Sequence, residues 1–193
     1  YIVSPGKPSL IGLDEQIGWP DCDPQWGTRD YDAFLARIVA GQTYAFRLVA
    51  NPTVSRSTRA GNTDIATDQG ASKRIGHLTV MQQAAWLVGK RAYAGTDVEA
   101  PQLFADQREP RDLRNGFEVA SDGGGAPRLI VSHSEKITFS KGRQGKRITM
   151  ARAQYDGVLR VTDADRFRYA LVNGIGHEKA FGCGLLTIVP VGE

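Results

Sequence analysis

Cysteine and histidine are scarce in this chain, and their scarcity excludes several kinds of site. The 193 residues include two cysteines, Cys22 and Cys183, and three histidines. Cysteines so far apart form neither a disulfide framework nor the paired thiolates of a structural zinc site. We therefore expect a protein of the reducing cytoplasm with no metal and no cofactor.

Long apolar runs and nucleotide-binding motifs are missing as well. No apolar run approaches the roughly 20 residues that a membrane helix needs, so we expect no membrane partner. The glycines at 174 and 176 suggest a dinucleotide-binding loop, but such a loop follows a strand and opens a helix. Here the predicted order is helix, then strand, and no Gly-Lys-Ser/Thr sequence exists.

Charge is distributed unevenly although the net charge is only +3. Residues 11–32 hold six acidic side chains and one basic one, Arg29. Residues 128–152 hold seven basic side chains and one acidic one, Glu135. Such a local excess of basic residues predicts a polyanion as binding partner.

The apolar pattern predicts alternating strands and helices from residue 44 onward. Strands are predicted over 44–50, 128–139, 147–161 and 183–189, the last as a buried apolar run. Helices are predicted after Thr79, which forms a capping box with Gln82, and after Asp163.

The remaining segments read as irregular. We expect residues 53–76 to be a mobile loop and 93–127 to be rich in loops, while 33–39 fits either a strand or a helix. The order βαββαβ is that of a ferredoxin-like α+β domain, an antiparallel sheet with two helices on one face. Its other face should be free.

The stretch FSKGRQGKRITMAR, 139–152, is the strongest functional candidate. Gly142 and Gly145 lie in its predicted turn, and five bases surround them: Lys141, Arg143, Lys146, Arg147 and Arg152. A narrow basic β-ribbon can enter an RNA groove or follow phosphates; the alternative is a solvated turn. Lys73 and Arg74 form a second candidate phosphate contact, with a solvated loop end as its alternative.

Aromatic and imidazole side chains have plainer interpretations. Trp86 is expected in the core, and Trp19 and Trp26 in packing between domains rather than on nucleobases. His77 and His133 are expected to be ordinary surface or strand histidines, because nothing adjacent in sequence would tune either pKa.

The C-terminal stretch GIGHEKAFGCGLLTIVP, 174–190, holds four glycines. Gly174 is expected in a left-handed conformation at the end of the preceding helix. Gly182 and Gly184 are expected where the backbone approaches closely at the entry to the last strand. With Gly176 they form a predicted structural glycine loop.

This loop resembles the C-terminal signature of the CasE-type CRISPR-associated endoribonucleases, the RNA-processing subunit of the Cascade complex. Three further stretches resemble the family in the same order along the chain: GQTYAFRLVANPT at 41–53, KRIGHLT…AAWL at 73–87 and YDGVLRVTD at 155–163. The resemblance covers nearly the whole chain.

The resemblance implies two ferredoxin-like domains, with residues 1–40 as the remnant of the first and 41–193 as the second. It also implies metal-independent cleavage of precursor CRISPR RNA at the base of a repeat stem-loop, leaving a cyclic phosphate and a 5′-OH. The family's catalytic histidine lies on the first helix of the first domain, so we expect it upstream of Tyr1. His177 occupies a position where relatives commonly have another residue, so we assign it no catalytic role.

The implied partners are the repeat stem-loop and other Cascade subunits, especially the backbone subunit next to the 3′ end of the CRISPR RNA. Target DNA would be met only through the complex. Lys179 of the glycine loop joins the predicted RNA contacts. Two alternatives stay open: a non-catalytic RNA-binding module, although the aromatic strand motif of RNA-recognition domains is missing, and a structural subunit whose basic hairpin contacts a protein.

Overall fold

The computed structural model describes residues 3–9, 27–56, 73–77, 79–105, 109–140 and 147–191. Its internal contacts divide the chain into two compact units, Tyr1–Ile38 and Val39–Glu193. In the first unit the short helix α1 spans Asp32–Leu35, and the rings of Tyr31 and Phe34 stack with centroids 5.4 Å apart. The sequence allows either a strand or a helix for residues 33–39, and the structure shows a helix in the first half of this segment.

The described residues of the second unit form seven strands, four α-helices and two 3₁₀ turns. In chain order they are β1 (Thr43–Ala50), β2 (Thr53–Arg56), β3 (Lys73–Gly76), α2 (Val80–Val88), a 3₁₀ turn (Gly89–Tyr93), α3 (Gln102–Ala105), α4 (Arg111–Arg114), β4 (Phe117–Val119), β5 (Leu129–Ser140), β6 (Arg147–Val161), α5 (Ala164–Asn173), a 3₁₀ turn (Lys179–Phe181) and β7 (Leu186–Pro190). No helix in this described part of the chain is long and apolar enough to cross a bilayer.

The main sheet is antiparallel and is built around β6. One edge of β6 pairs with β1, which pairs in turn with β7. The other edge pairs with β5 and, further along, with β4. The spatial order β5–β6–β1–β7 confirms the predicted α+β class and is consistent with a ferredoxin-like fold.

Both long helices begin at the residues that the sequence indicates. The Thr79 hydroxyl accepts the N–H of Gln82 at 3.2 Å before α2. The Asp163 carboxylate accepts the N–H groups of Asp165 and Arg166, each at 3.0 Å, before α5. These side chains satisfy N–H groups that a helix leaves unpaired at its start.

The core lies on one face of the sheet. Alternate residues of β1 are buried there, among them Tyr44, whose ring lies 6.3 Å from that of Phe167 on α5. Tyr155 of β6 meets Trp86 of α2 with centroids 5.7 Å apart. The two helices therefore cover the same face. Trp86 is 3% exposed, which confirms its expected place in the core.

Two expectations, for the segment 53–76 and for the last strand, are wrong, whereas 93–127 is rich in loops as expected. The segment 53–76 is not wholly loop, because its two ends pair as β2 and β3, with Thr53 opposite Gly76; residues 57–72 lie outside the described part. Within 93–127 the sheet gains β4. The last strand starts at Leu186, not at Cys183, and is an edge strand with Val189 65% exposed. Its apolar sequence therefore does not mean that both of its faces are buried.

Candidate nucleic-acid interface

The β5–β6 pair extends beyond the rest of the sheet. β5 pairs with β6 as far as Ser140 opposite Arg147, whereas β1 leaves β6 at Ala153. Residues 135–152 are called the basic hairpin below, and its described parts, 135–140 and 147–152, therefore project past the end of β1. Lys141, Arg143 and Lys146 of its turn lie outside the described residues, and Arg147 opens β6.

A β-bulge marks the point where the basic hairpin leaves the sheet. The pairing register shifts between Ser132 and Glu135, and His133 takes a φ of +48°. Positive φ is uncommon outside glycine, and bulges bend a strand and increase its twist. The Ser132 hydroxyl lies 3.0 Å from Nδ1 of the exposed His133. The bulge thus sets the direction of the hairpin.

Arg152 at the base of the hairpin has a partner within the protein. Its Nε donates to Oε1 of Glu135 on the facing strand at 2.8 Å. Cross-strand charge pairs of this kind help to hold two strands in register. Arg152 stays a predicted RNA contact. The local excess of basic residues suggests an unpaired charge, but the carboxylate of Glu135 already opposes the charge of Arg152.

The second predicted basic element runs against the base of the basic hairpin. Lys73 and Arg74 belong to β3, whose backbone pairs with β2. A Cβ built on Gly76, at the end of β3, would lie 3.0 Å from Cβ of Ala151 in β6. The fold therefore brings together two basic segments that are about seventy residues apart in the sequence.

The glycine loop, residues 174–185, is closed by contacts between its own ends. The N–H of Ile175 donates to the Gly184 carbonyl at 2.8 Å, and the N–H of Gly184 donates to the Val49 carbonyl at 2.7 Å. A Cβ at Gly174 would lie 2.8 Å from the Gly184 oxygen, and one at Gly184 would lie 2.9 Å from the Ile175 oxygen. Only glycine allows the two ends to approach so closely.

Two expectations for this loop need correction. Gly174 has φ +71° with ψ 166°, which is a positive-φ conformation but not the left-handed helical one. Gly182 has open space around a built Cβ, so close approach does not explain it. Its φ of +77° and ψ of 16° are left-handed helical, and conformation is therefore the reason for that glycine. The close approach expected at Gly184 is confirmed.

The glycine loop reaches the basic hairpin through an aromatic pair. Phe181 of the loop lies 4.9 Å, centroid to centroid, from Phe139 near the end of β5. The stem of the exposed Lys179 passes over the glycine pair, with its Cγ 3.3 Å from a Cβ built on Gly184. This contact was not predicted; the sequence signals it by no more than a phenylalanine within a polar, glycine-rich stretch.

Buried polar groups lie on the helix-covered face. The carboxylate of Asp112 is fully buried, pairs with Arg91 and accepts the N–H of Val119 at 3.1 Å. Burial raises the pKa of Asp112, while Arg91 and the backbone donors oppose the shift. His77 is buried beside Phe104, and burial followed by the charge of Arg111 lowers its pKa. It is not the surface histidine that the sequence suggests.

A family model described as "CRISPR associated protein" matches residues 1–190. The chain belongs to this family. The family resemblance inferred from the sequence motifs is thereby confirmed. No protein in the curated set matches the chain.

Two solved structures show the same fold as this CRISPR-associated protein. One is CRISPR endoribonuclease Cse3 bound to a 19-nucleotide RNA, with a TM-score of 0.56 and 23% identity over 79% of this chain and 58% of that one. The other is Thermus thermophilus Cse3 bound to an RNA representing a pre-cleavage complex, with a TM-score of 0.53 and 24% identity over 79% and 56%. The chain thus spans less than three-fifths of either Cse3 chain.

Within the described residues, no three His, Cys, Asp or Glu side chains lie close enough together to hold a metal ion. The described residues of this surface include the cationic side chain of Arg152 and the hydroxyl groups of Thr138 and Thr149. Cationic groups around a phosphate stabilise the negative charge that develops on it during transfer. The arrangement is suited to binding a polyanion.

Proposed function

We propose that this CRISPR-associated protein binds the stem-loop of a CRISPR repeat RNA as part of an RNA-processing endoribonuclease. The observation that carries the proposal is the convergence of two basic segments at the projecting hairpin, with the glycine loop packed against it through Phe181. The two Cse3 structures, each described as RNA-bound, support the same assignment.

The proposed domain arrangement follows the sequence expectation. Residues 41–193 are the second of two ferredoxin-like domains, and residues 1–40 belong to the first. Because the chain spans 58% and 56% of the two Cse3 chains, we place the catalytic histidine outside residues 1–193. The RNA-binding surface described here would hold the stem while that residue acts.

The proposed reaction is metal-independent. The ribose 2′-OH loses its proton to a base and attacks the adjacent phosphorus, while the 5′-oxygen leaves with a proton from an acid. The products are a 2′,3′-cyclic phosphate and a 5′-OH, so atoms and charges balance without a redox partner. An acid–base pair and positive charge beside the phosphorane are sufficient for this chemistry.

We further propose that the product stays bound and that the protein acts within Cascade, next to the backbone subunit at the 3′ end of the CRISPR RNA. Retention fits a surface built from many phosphate contacts, each contributing affinity without requiring a particular base. Contact with target DNA would occur only through the complex.

The decisive test of RNA binding is charge reversal in the basic hairpin. Changing Arg143, Lys146 and Arg147 to Glu should weaken stem-loop binding by about 3 kcal/mol or more and lower the slope of log Kd against log salt by about 0.9 unit per residue. Filter binding from about 50 to about 400 mM KCl, roughly an eightfold salt range, measures both.

The matched control reverses three exposed cations elsewhere: Lys7, Arg29 and Lys90. The control should bind nearly like the parent after correction for net charge. If both triple variants lost the same RNA affinity, the loss would be a general effect of charge. The hairpin would then have no specific role in RNA binding, and the alternative of a structural subunit would be favoured.

A second test concerns cleavage. The 193-residue chain, incubated with a repeat stem-loop RNA in EDTA, should bind without making a discrete cut. A site-specific cut leaving a cyclic phosphate would place the catalytic group within residues 1–193 and would contradict the proposed location of the histidine.

A further inference from the structure

Arg111 is a half-buried cation stacked on an aromatic ring. Its guanidinium carbon lies 4.2 Å from the centroid of the Trp86 ring. The Nε atom is buried and has no hydrogen-bond acceptor. Stacking on an indole holds a guanidinium in one orientation and leaves its two terminal nitrogens in a fixed fork.

The nearest carboxylate in sequence is committed to a different arginine. Asp112 pairs with Arg91 and accepts the N–H groups of Leu113 and Val119 at 2.9 and 3.1 Å. No carboxylate in the described part of the chain forms an ion pair with Arg111. Among the described residues, Arg91 is therefore paired with a buried carboxylate and Arg111 is not.

An unpaired cation in a partly buried position costs free energy, because the charge loses water and gains no counter-charge. Burial, followed by repulsion from Arg114, lowers the pKa of Arg111 to about 10. The side chain is still charged at neutral pH, so this cost in free energy applies as long as no anion pairs with it. An anion that paired with the guanidinium would remove it.

The surroundings of Arg111 are polar and only partly satisfied. His77 is close enough for the arginine to lower its pKa, with burial as the larger cause. Gln83, one turn before Trp86 on α2, donates to the His77 carbonyl at 3.0 Å and to the Ser134 hydroxyl at 2.7 Å, but its own buried oxygen has no partner. His77 therefore lies between Arg111, whose charge it senses, and Gln83, which it accepts a hydrogen bond from.

We propose that the Arg111 guanidinium, stacked on Trp86 beside His77, binds a phosphate group of the RNA backbone. This assignment rests on the proposed function and adds a contact on the helix-covered side of the sheet. Arginine pairs with phosphate through two parallel N–H···O bonds when its plane is held in place.

Two connections join this site to the basic segments already described. β3, which carries Lys73 and Arg74, ends immediately before His77. Gln83 contacts Ser134, which belongs to the bulge at the base of the basic hairpin. His77 and Gln83 therefore connect the surroundings of Arg111 to both segments that are proposed to bind RNA.

The glycine loop holds the platform from another direction. A Cβ built on Gly176 would lie 3.0 Å from Cζ2 of Trp86, so the loop backbone packs directly on the indole. The hydroxyl of Tyr155, on β6, donates to the Gln83 carbonyl at 3.1 Å and so holds α2, the helix that carries Trp86. The Trp86 ring is therefore immobilised before any ligand arrives, which lowers the entropic cost of binding.

The first experiment compares Arg111→Gln with Arg114→Gln in the 193-residue chain. Both changes remove one positive charge from the same helix, but Arg114 is exposed and donates to the Glu109 carbonyl. Arg111→Gln should weaken stem-loop RNA binding about tenfold and lower the log–log salt slope by about 0.7 to 0.9 unit. Arg114→Gln should change affinity less than about threefold, with a slope close to that of the parent.

The second experiment uses inorganic phosphate and needs no RNA. Phosphate should raise the melting temperature of the parent and of Arg114→Gln above that in sodium chloride of equal ionic strength. Arg111→Gln should lose this difference. Arg111→Lys, which keeps the charge without the planar fork, should keep part of it and serves as the test if Arg111→Gln does not fold.

The outcomes separate this proposal from the function on which it rests. If the parent fails to bind stem-loop RNA, the proposed function falls, and a phosphate effect lost in Arg111→Gln would then assign the site to free phosphate. If the parent binds RNA and both arginine variants match its affinity and slope, Arg111 is a structural cation on Trp86 and the proposal is wrong. The same conclusion follows if phosphate stabilises every variant equally.

Discussion

The glycine loop and the basic hairpin are neighbours in space, and they are specified in opposite ways. In the loop, Gly174 and Gly184 are required by backbone positions, since a Cβ at either would press on a carbonyl oxygen. The sequence of the hairpin, by contrast, is distinguished by its concentration of basic residues. The loop therefore depends on conformation and the hairpin on charge. Substitutions should divide accordingly between effects on stability and effects on RNA affinity.

The two regions meet at Phe139 and Phe181. This pair is where a change in the loop should reach the hairpin without altering any charge. The three substitutions below test the division at a backbone position, at the contact and at an exposed loop residue.

Gly184→Val should have the largest effect on stability. The new side chain meets the Ile175 carbonyl at a φ of +93°, so backbone strain and overpacking add to about 2–4 kcal/mol of lost unfolding free energy. Urea unfolding followed by tryptophan fluorescence measures the loss.

Gly182→Ala is the matched control, because its φ is also positive but its Cβ points into open space. It should cost about 1 kcal/mol, the penalty of a left-handed alanine alone. Equal losses at the two positions would show that close approach plays no part in the loop.

Phe181→Ala should have an intermediate effect that appears mainly in the hairpin. Loss of the ring contact with Phe139 should cost about 1 kcal/mol and should speed amide hydrogen exchange near the end of β5 about fivefold. RNA affinity should fall modestly while the salt slope stays constant, since no cation is lost.

Phe181→Leu, which keeps an apolar contact, should recover part of the protection. Val189→Ala, on the exposed edge strand, controls for loss of apolar surface and should leave the hairpin unchanged. A normal exchange rate in Phe181→Ala would break the link between loop and hairpin.

His177→Ala should have the smallest effect. The residue is exposed, and its backbone forms an isolated bridge to Asn51 that does not depend on the imidazole. Unfolding free energy should change by less than about 0.5 kcal/mol, and stem-loop affinity by less than about threefold. A stable variant with much weaker RNA binding would make the imidazole part of the interface.

Much of the second unit follows from local sequence. Thr79 and Asp163 start their helices because a side-chain oxygen satisfies nearby N–H groups, and β1 alternates because one face of the sheet is covered. Such signals lie within a few residues of one another. The order of the four predicted strands and two predicted helices, and the family to which the chain belongs, were therefore accessible from the sequence.

The remaining features depend on contacts between distant residues. β7 has an apolar sequence, yet among the described strands it lies at the edge of the sheet, paired with β1 alone. Phe181 meets Phe139, and Arg111 stacks on Trp86 while Asp112 turns to Arg91. No local pattern in the sequence predicts that Asp112 pairs with Arg91 rather than with Arg111, its neighbour in the sequence. The tertiary structure decided these pairings, because burial and charge compensation arise only when separate segments are packed together.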